Sequence, residues 1–286
     1  MWDVATATFK HNFPGAVVKT AKLEEIDLAK LRREIGPIEL LLASPECTNH
    51  TCAKGAAPRS EESRATAMQT LRFAKAFKPR WIIMENVIHM RPWSRYEELK
   101  TELKALGYHV SEPILDASDF GVAQKRRRLF VICDRKGPPH PIELSKTLKR
   151  RSVLDILDPP GTWKTSPLFW EKRSQATLER AERGFASVGR EASFLIVYYG
   201  SDGSGGWQAL DRPLRTVTTV DRFALVEPSN AGHQMRMLQV PELTKAMGFT
   251  KKYEMPVGTR RERIHMLGNG VCPPVMKNIV NGLFGS

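Results

Sequence analysis

Cys47 in SPECTN directly follows the apolar run LLLA, and Glu85 in ENV directly follows WIIM. Each apolar run has strand length, so thiol and carboxylate are both predicted where a strand gives way to a loop. In a turn with Pro45 and Thr48, a thiolate is a nucleophile, and a nearby cation would populate that form. A buried structural thiol is the competing reading. Behind WIIM, Glu85 is predicted to lie in a partly dry site, where burial favours the protonated acid needed for proton donation. A helix cap, with Asn86 beside it, is the alternative. Acting on one ring, an acid protonates one atom while sulfur attacks another.

A third cluster is Gln124-Lys125-Arg126-Arg127-Arg128, just before the apolar Leu129 to Ile132. If it is extended, Gln124, Arg126 and Arg128 share one face, where amide and guanidinium groups bind base carbonyls or phosphates; Lys125 and Arg127 point the other way. A solvated basic edge is the rival reading. Lys54 to Arg64, with Gly55 and Pro58, reads as a lid over a substrate or as an ordinary connection. Gly200, Gly203, Gly205 and Gly206 lack the strand-glycine-helix context of a phosphate loop and read as a hinge or turn.

Positioning these residues falls to alternating elements. Residues 2 to 12 are predicted helical, Pro14 and Gly15 a turn, Ala16 to Val18 a short buried strand, and 24 to 34 a helix stopped near Gly36 and Pro37. Ile38 to Ala43 then forms a strand. Glu61 to Lys78 places Ala67, Leu71, Ala74 and Phe77 on related helical turns until Pro79, and Trp81 to Met84 is the next strand. Ser94 to Leu106 is a helix ended by Gly107, followed by a hairpin around Tyr108 to Val110 and a strand at Leu129 to Cys133. Such alternation predicts a mostly parallel sheet covered on both faces, with Cys47 and Glu85 at one carboxyl rim. After Arg135 the alternation weakens in KGPPHP, DPPGTWKTSP and YYGSDGSGGW. A smaller module is placed at 135 to 208, with a return to the main domain near Leu210 and a closing helix after Pro273 and Pro274.

With 286 residues, 41% of them hydrophobic, the chain has material for a sizeable core. A formal charge of +13 draws it toward a polyanion, most plausibly nucleic acid, without separating DNA from RNA. No apolar stretch suits a membrane span and no signal peptide opens the chain, so a cytoplasmic, DNA-associated protein is expected. Cys47, Cys52, Cys133 and Cys272 form no close CxxC pair, so no metal is expected, and Cys133 reads as an inert buried thiol.

Together these segments resemble the DNA cytosine-5 methyltransferase family over nearly the whole chain apart from the 135 to 208 module. Cys47 matches the family nucleophile within a local PEC, where proline-proline-cysteine is usual. Glu85, Asn86 and Val87 match the ENV segment, and Gln124, Arg126 and Arg128 match Gln-x-Arg-x-Arg. Arg212, Pro213, Leu214 and Thr216 resemble a later motif; Leu267, Gly268, Asn269, Val271 and Pro273 resemble the closing one. The resemblance implies methylation of cytosine C5 in duplex DNA, with S-adenosylmethionine as donor, a flipped target base and a restriction-modification setting. It implies attack of Cys47 on C6, Glu85 at N3, Asn86 holding the Glu85 loop, Arg128 at the cytosine carbonyl, and Arg126 at the thiolate or phosphate backbone. Lys54, Gln124, Arg126, Arg128, Arg212 and Thr216 are expected on DNA, and Trp2, Pro45, Glu46 and Asn269 on the cofactor.

The family opens with a strand, a Phe-x-Gly-x-Gly turn and then a ribose-holding acid, whereas this sequence starts just beyond that acid, with Trp2 at the adenine-stacking position. No Asp of the next cofactor motif matches near Thr20 to Lys22, and Glu46 replaces the second proline. The expected fold is therefore α/β: an incomplete Rossmann-like methyltransferase domain, lacking the N-terminal cofactor-binding segment, with a smaller target-recognition module. Its parts are 1 to 134 (catalytic, first part), 135 to 208 (target recognition) and 209 to 286 (return and closing helix). Two explanations of the absent segment stand side by side, a second polypeptide that supplies it and a shortened or inactive chain, and the alternative to an enzyme is a noncatalytic DNA-binding remnant or a subunit that requires a partner to complete the cofactor site.

Overall fold

The computed structural model describes residues 2–46, 60–61, 65–143, 149–199 and 205–284. Helix α1 (Asp3–Asn12) carries Asp3 in its first turn and Lys10 and His11 in its last, the charge order that the helix dipole favours. In α2 (Leu28–Ile35) the Asp27 side chain caps the amino end by accepting from the Lys30 amide at 2.9 Å. Gly36, at φ 74°, ends it. Strand β1 (Leu40–Ala43) runs parallel to β2 (Trp81–Asn86), with Leu40 opposite Trp81 and Ala43 opposite Met84. Between them α3 (Gln69–Phe77) stops at Lys78, in the left-handed region just ahead of Pro79.

Helix α4 (Tyr96–Ala105) buries Tyr96, Leu99 and Leu103. Beyond it, β3 (His109–Ser111) and β4 (Ile114–Asp116) both pair antiparallel with β5 (Arg127–Asp134), which itself pairs antiparallel with β2. The expected mostly parallel sheet is thus corrected: among the described residues only β1 and β2 are parallel. A connection through one 3-10 turn (Ala117–Phe120) returns the chain on the same side, and without a crossover the returning strand must run antiparallel. Nor do β3 and β4 make a hairpin. They are two halves of one edge strand interrupted at Glu112 and Pro113, since proline has no amide hydrogen to give the ladder. Ala16 to Val18 is not a strand either; Val17 is 78% exposed, so no burial drives pairing there.

The second sheet is antiparallel, in the order β6-β10-β9-β7-β8: β6 (Ser166–Pro167), β7 (Phe194–Val197), β8 (Trp207–Ala209), β9 (Phe223–Glu227) and β10 (Gln234–Met237). It continues well past residue 208. Helix α5 (Gln175–Val188) lies against β7 and β8. Three helices follow: α6 (Val240–Ala246), α7 (Arg260–Asn269) and α8 (Pro273–Phe284).

The strand period of two divides the interior. Ile82, Met84, Leu129, Val131 and Cys133 face α3 and α4 residues such as Leu71 and Leu103. Ile83, Phe130 and Ile132 face a larger core holding Leu195 and Phe223 of the second sheet with Leu243, Ile264 and Ile279 of the last helices. Each such side chain contributes about 1.5–3 kcal/mol when fully buried, and sharing one core locks the sheets together.

Candidate active site

Parallel pairing sets the carboxyl ends of β1 and β2 side by side. Ser44, one residue past β1, donates its hydroxyl to Glu85 Oε2 at 2.8 Å, and Arg128 Nε stands 3.1 Å from Glu85 Oε1. The Glu85 residue is only 5% exposed, so both carboxylate oxygens are engaged in a nearly dry rim. It caps no helix: the 3-10 turn at Ile88–Met90 has no side-chain cap. Asn86 binds the neighbouring strand end by donating Nδ2 to the Pro45 carbonyl at 3.3 Å, while its Oδ1 accepts from the Val87 amide at 2.8 Å. Asn86 thereby ties the Glu85 turn to the segment that leads into Cys47. Cys47, Lys54 and most of the Lys54 to Arg64 loop lie outside the described residues. Sequence reasoning assigned Ser44 no part in the site; its only signal was a hydroxyl at the end of an apolar strand.

The Gln124-to-Arg128 run does alternate, but its shared face points into the protein. Gln124 and Arg126 are buried. Gln124 Nε2 donates to the Ala246 carbonyl at 3.3 Å and Oε1 accepts from the Val217 amide at 2.9 Å. Arg126 Nη1 donates to Val217 O at 3.0 Å, and Nη2 to Gly268 O and Gly270 O at 2.8 and 2.9 Å. Charge-assisted bonds of this kind contribute about 1.5–3 kcal/mol each, enough to hold a guanidinium in the interior. Gln124 and Arg126 therefore join three returning segments, and neither faces solvent as a DNA contact requires. Arg128 alone of that face reaches the rim. Thr216 donates to the Lys125 carbonyl at 2.9 Å, and Arg212 is exposed.

On the other side of the return segment, Trp2 meets His265 edge-on with ring centroids 4.9 Å apart. Asn269 lies four residues further along α7, on the same helical face, and is exposed. Glu46 is exposed beyond β1 and Pro45 is half-buried. An indole, a carboxylate and an amide are the side-chain types that an adenine ring, a cationic amine or sulfonium and polar ribose atoms require. Among the described residues no group of His, Cys, Asp and Glu is arranged to hold a metal ion. Burial pushes the Cys133 thiol to about 12 and the Cys272 thiol to about 11, which leaves both unreactive near neutrality.

The two-sheet α/β architecture is shared with solved methyltransferase structures. A solved structure of the Entamoeba histolytica methyltransferase EhMeth has a TM-score of 0.71 and 16% identity, covering 99% of this chain and 88% of that one. The family model for C-5 cytosine-specific DNA methylases matches residues 1–285, and the chain belongs to that family. The type II methyltransferase M.HgiDI of Herpetosiphon aurantiacus is 28% identical over 94% of this chain and 80% of its own length. M.AgeI of Thalassovita gelatinovora is 27% identical over 57% of this chain, a match spanning 40% of that relative. Methyltransferase chemistry, DNA methylation and S-adenosylmethionine dependence come with the family.

These matches correct one expectation. A family match from residue 1 to 285, with a fold likeness over 99% of the chain, overturns the reading of an incomplete domain lacking its N-terminal cofactor-binding segment. The argument for a second polypeptide to supply that segment falls with it. The opening strand, turn and acids are local signals, whereas the sheets, core and helices shared with the family are specified by the pattern of the remaining chain. Among the described residues no helix is long and apolar enough to cross a membrane.

Proposed function

We propose that the chain methylates C5 of cytosine in duplex DNA through a covalent cysteine adduct, as a cytoplasmic, DNA-associated enzyme. The observation that carries this reading is the Ser44-Glu85-Arg128 arrangement at the ends of β1 and β2, two residues from the expected nucleophile by way of the Asn86–Pro45 bond. The Cys47 thiolate forms a bond to C6 of a flipped cytosine, while Glu85, holding or sharing a proton, meets N3. Electron density moves from the C5–C6 double bond to C5, which takes the methyl group. S-adenosylmethionine, when bound, would supply that methyl as an electrophile, its sulfonium sulfur keeping the bond pair and leaving as a neutral thioether. Loss of the C5 proton to water or hydroxide then re-forms the C5–C6 double bond as the Cys47–C6 bond breaks with its pair on sulfur, and N3 returns its proton to Glu85.

Arg128 holds the Glu85 carboxyl and faces the cytosine carbonyl; Arg126 acts as a positioning residue behind it. Trp2 stacks on the adenine of the cofactor, with Pro45, Glu46 and Asn269 around it. Lys54, Arg212 and Thr216 belong to the DNA side, and the second sheet reads the target.

The test is single-turnover transfer of labelled methyl from S-adenosylmethionine to mixed-sequence duplex DNA by the full chain, beside Cys47→Ser. Incorporation that disappears in the variant supports the reading. Incorporation that survives in the variant removes Cys47 as nucleophile, and a folded, DNA-binding chain that transfers nothing is a noncatalytic remnant.

A further inference from the structure

Ser44 is placed by its neighbours on both sides. Ala43 pairs with Met84 in the β1–β2 ladder and the Pro45 carbonyl is tied to Asn86, so the residue between them falls level with Glu85. Proline also steers the residue before it to extended backbone, which keeps Ser44 from turning away. Its hydroxyl donates to Glu85 Oε2 at 2.8 Å, while Arg128 Nε stands 3.1 Å from Oε1.

These two contacts differ in what they can do with a proton. A guanidinium gives hydrogen bonds and has no lone pair to receive one, whereas a hydroxyl does both. They differ also in exposure: Glu85 is buried and the Arg128 side chain nearly so, but Ser44 is exposed. Behind the carboxylate, a gap of about 10 Å³ lies between Phe130 and Val275, with Arg126 and Cys272 at its wall. That is scarcely room for one water. Arg126 keeps its charge, and burial pushes the Cys272 thiol to about 11, so neither exchanges protons readily near neutrality. The side of Glu85 open to proton traffic is therefore the Ser44 side. Both carboxylate oxygens accept hydrogen bonds as they stand, whereas acid catalysis needs one of them to carry a proton.

We infer that Ser44 is a positioning residue for Glu85, its hydroxyl relaying a proton between solvent and Oε2 once the target base covers the rim. The inference rests on the cytosine C5-methylation reading. In loading, a solvent acid, hydronium or a buffer acid, gives its proton to Ser44 Oγ and keeps the bond pair as its conjugate base. The hydroxyl's own proton passes to Oε2, so Ser44 ends unchanged and the Glu85 carboxylate becomes a neutral carboxyl. Unloading reverses both transfers.

The experiment is single-turnover methyl transfer by the full chain at neutral pH and constant ionic strength, with imidazole buffer raised stepwise, for the wild type, Ser44→Ala and Ser44→Thr. The wild-type rate is expected to be independent of buffer. Ser44→Ala is expected to be slower by about 10- to 100-fold at low buffer, no more than the lower end of what a positioned proton donor contributes, and to recover as imidazolium rises. Ser44→Thr keeps the hydroxyl and stays near the wild-type rate. Melting temperature and duplex affinity check that each variant is folded and binds. A wild-type rate in Ser44→Ala, a slow rate that buffer does not restore, or a Ser44→Thr as slow as Ser44→Ala overturns the relay. Absence of Cys47-dependent transfer in the wild type sinks the parent reading and the relay with it, and the Cys47→Ser control tells that failure from the others.

Discussion

Arg128 reaches Glu85 on a diagonal across two antiparallel strands. In the β2–β5 ladder Glu85 stands opposite Phe130, and the Arg128 guanidinium spans the two-residue offset to bring Nε within 3.1 Å of Oε1. With side chains 16% and 7% exposed, neither partner is well solvated. Removing one leaves a buried charge with no counterpart, at a cost of about 3–5 kcal/mol, whereas removing both costs far less. Arg128→Met should therefore lower the urea midpoint sharply, and adding Glu85→Gln should restore most of it. Equal, additive losses in the two single variants and the double variant would show that the pair is not coupled. Glu85→Gln alone should slow single-turnover methyl transfer by about 10²-fold or more, the usual scale for a lost acid.

Gly268 marks where the return segment meets α7. A Cβ there would lie 2.4 Å from Thr218 C and Thr219 N, backbone atoms that cannot step aside as a side chain can. The same contact sets the Gly268 carbonyl that Arg126 holds. Gly268→Ala is expected to destabilise by about 1–3 kcal/mol, as overpacking does, read as a fall in melting temperature. Gly282→Ala in α8 is the control: nothing lies within 4 Å of its added Cβ, and helix propensity favours alanine. Matching melting temperatures for Gly268→Ala and the wild type would disprove the close approach.

Asp158 couples the loop before the second sheet to α6. Burial pushes its carboxyl up, but Lys245 at 2.7 Å and the Trp163 indole N–H at 2.9 Å together outweigh burial and hold it below the ordinary range. A carboxyl lowered on folding contributes stability above its unfolded value, and that contribution fades as pH falls through the lowered one. Asp158→Asn should be less stable than the wild type at pH 7, and the gap should shrink as the pH falls below about 4. Urea midpoints across that range check it; a gap that stays constant would remove the ion pair as its source.

The strands and helices carrying the site were legible because their apolar runs are long. Trp81 to Met84 and Leu129 to Cys133 lie within β2 and β5, and Ser94 to Leu106 contains α4. Direction was not legible: nothing in Leu129 to Cys133 records that the chain returns without a crossover. Side was half legible. Alternation correctly grouped Gln124 with Arg126, yet a polar face and a buried polar face have one pattern, and only the carbonyls of Val217, Gly268 and Gly270 decide between them. Those acceptors are distant in sequence. The second sheet was hidden for a similar reason, its strands being scattered among proline- and glycine-rich stretches.

The place of β9 in the second sheet bears on where the chain could be cut. Phe223–Glu227 lies between β10 and β7, and it enters the chain only after the stretch expected to rejoin the catalytic domain. A cut at residue 208 would keep β6 and β7 and leave the sheet's central strand behind. The sheet as a unit runs on through Met237, where the chain leaves β10 for α6, and the hydrophobic faces of β7 and β9 stay paired only if that whole stretch is kept.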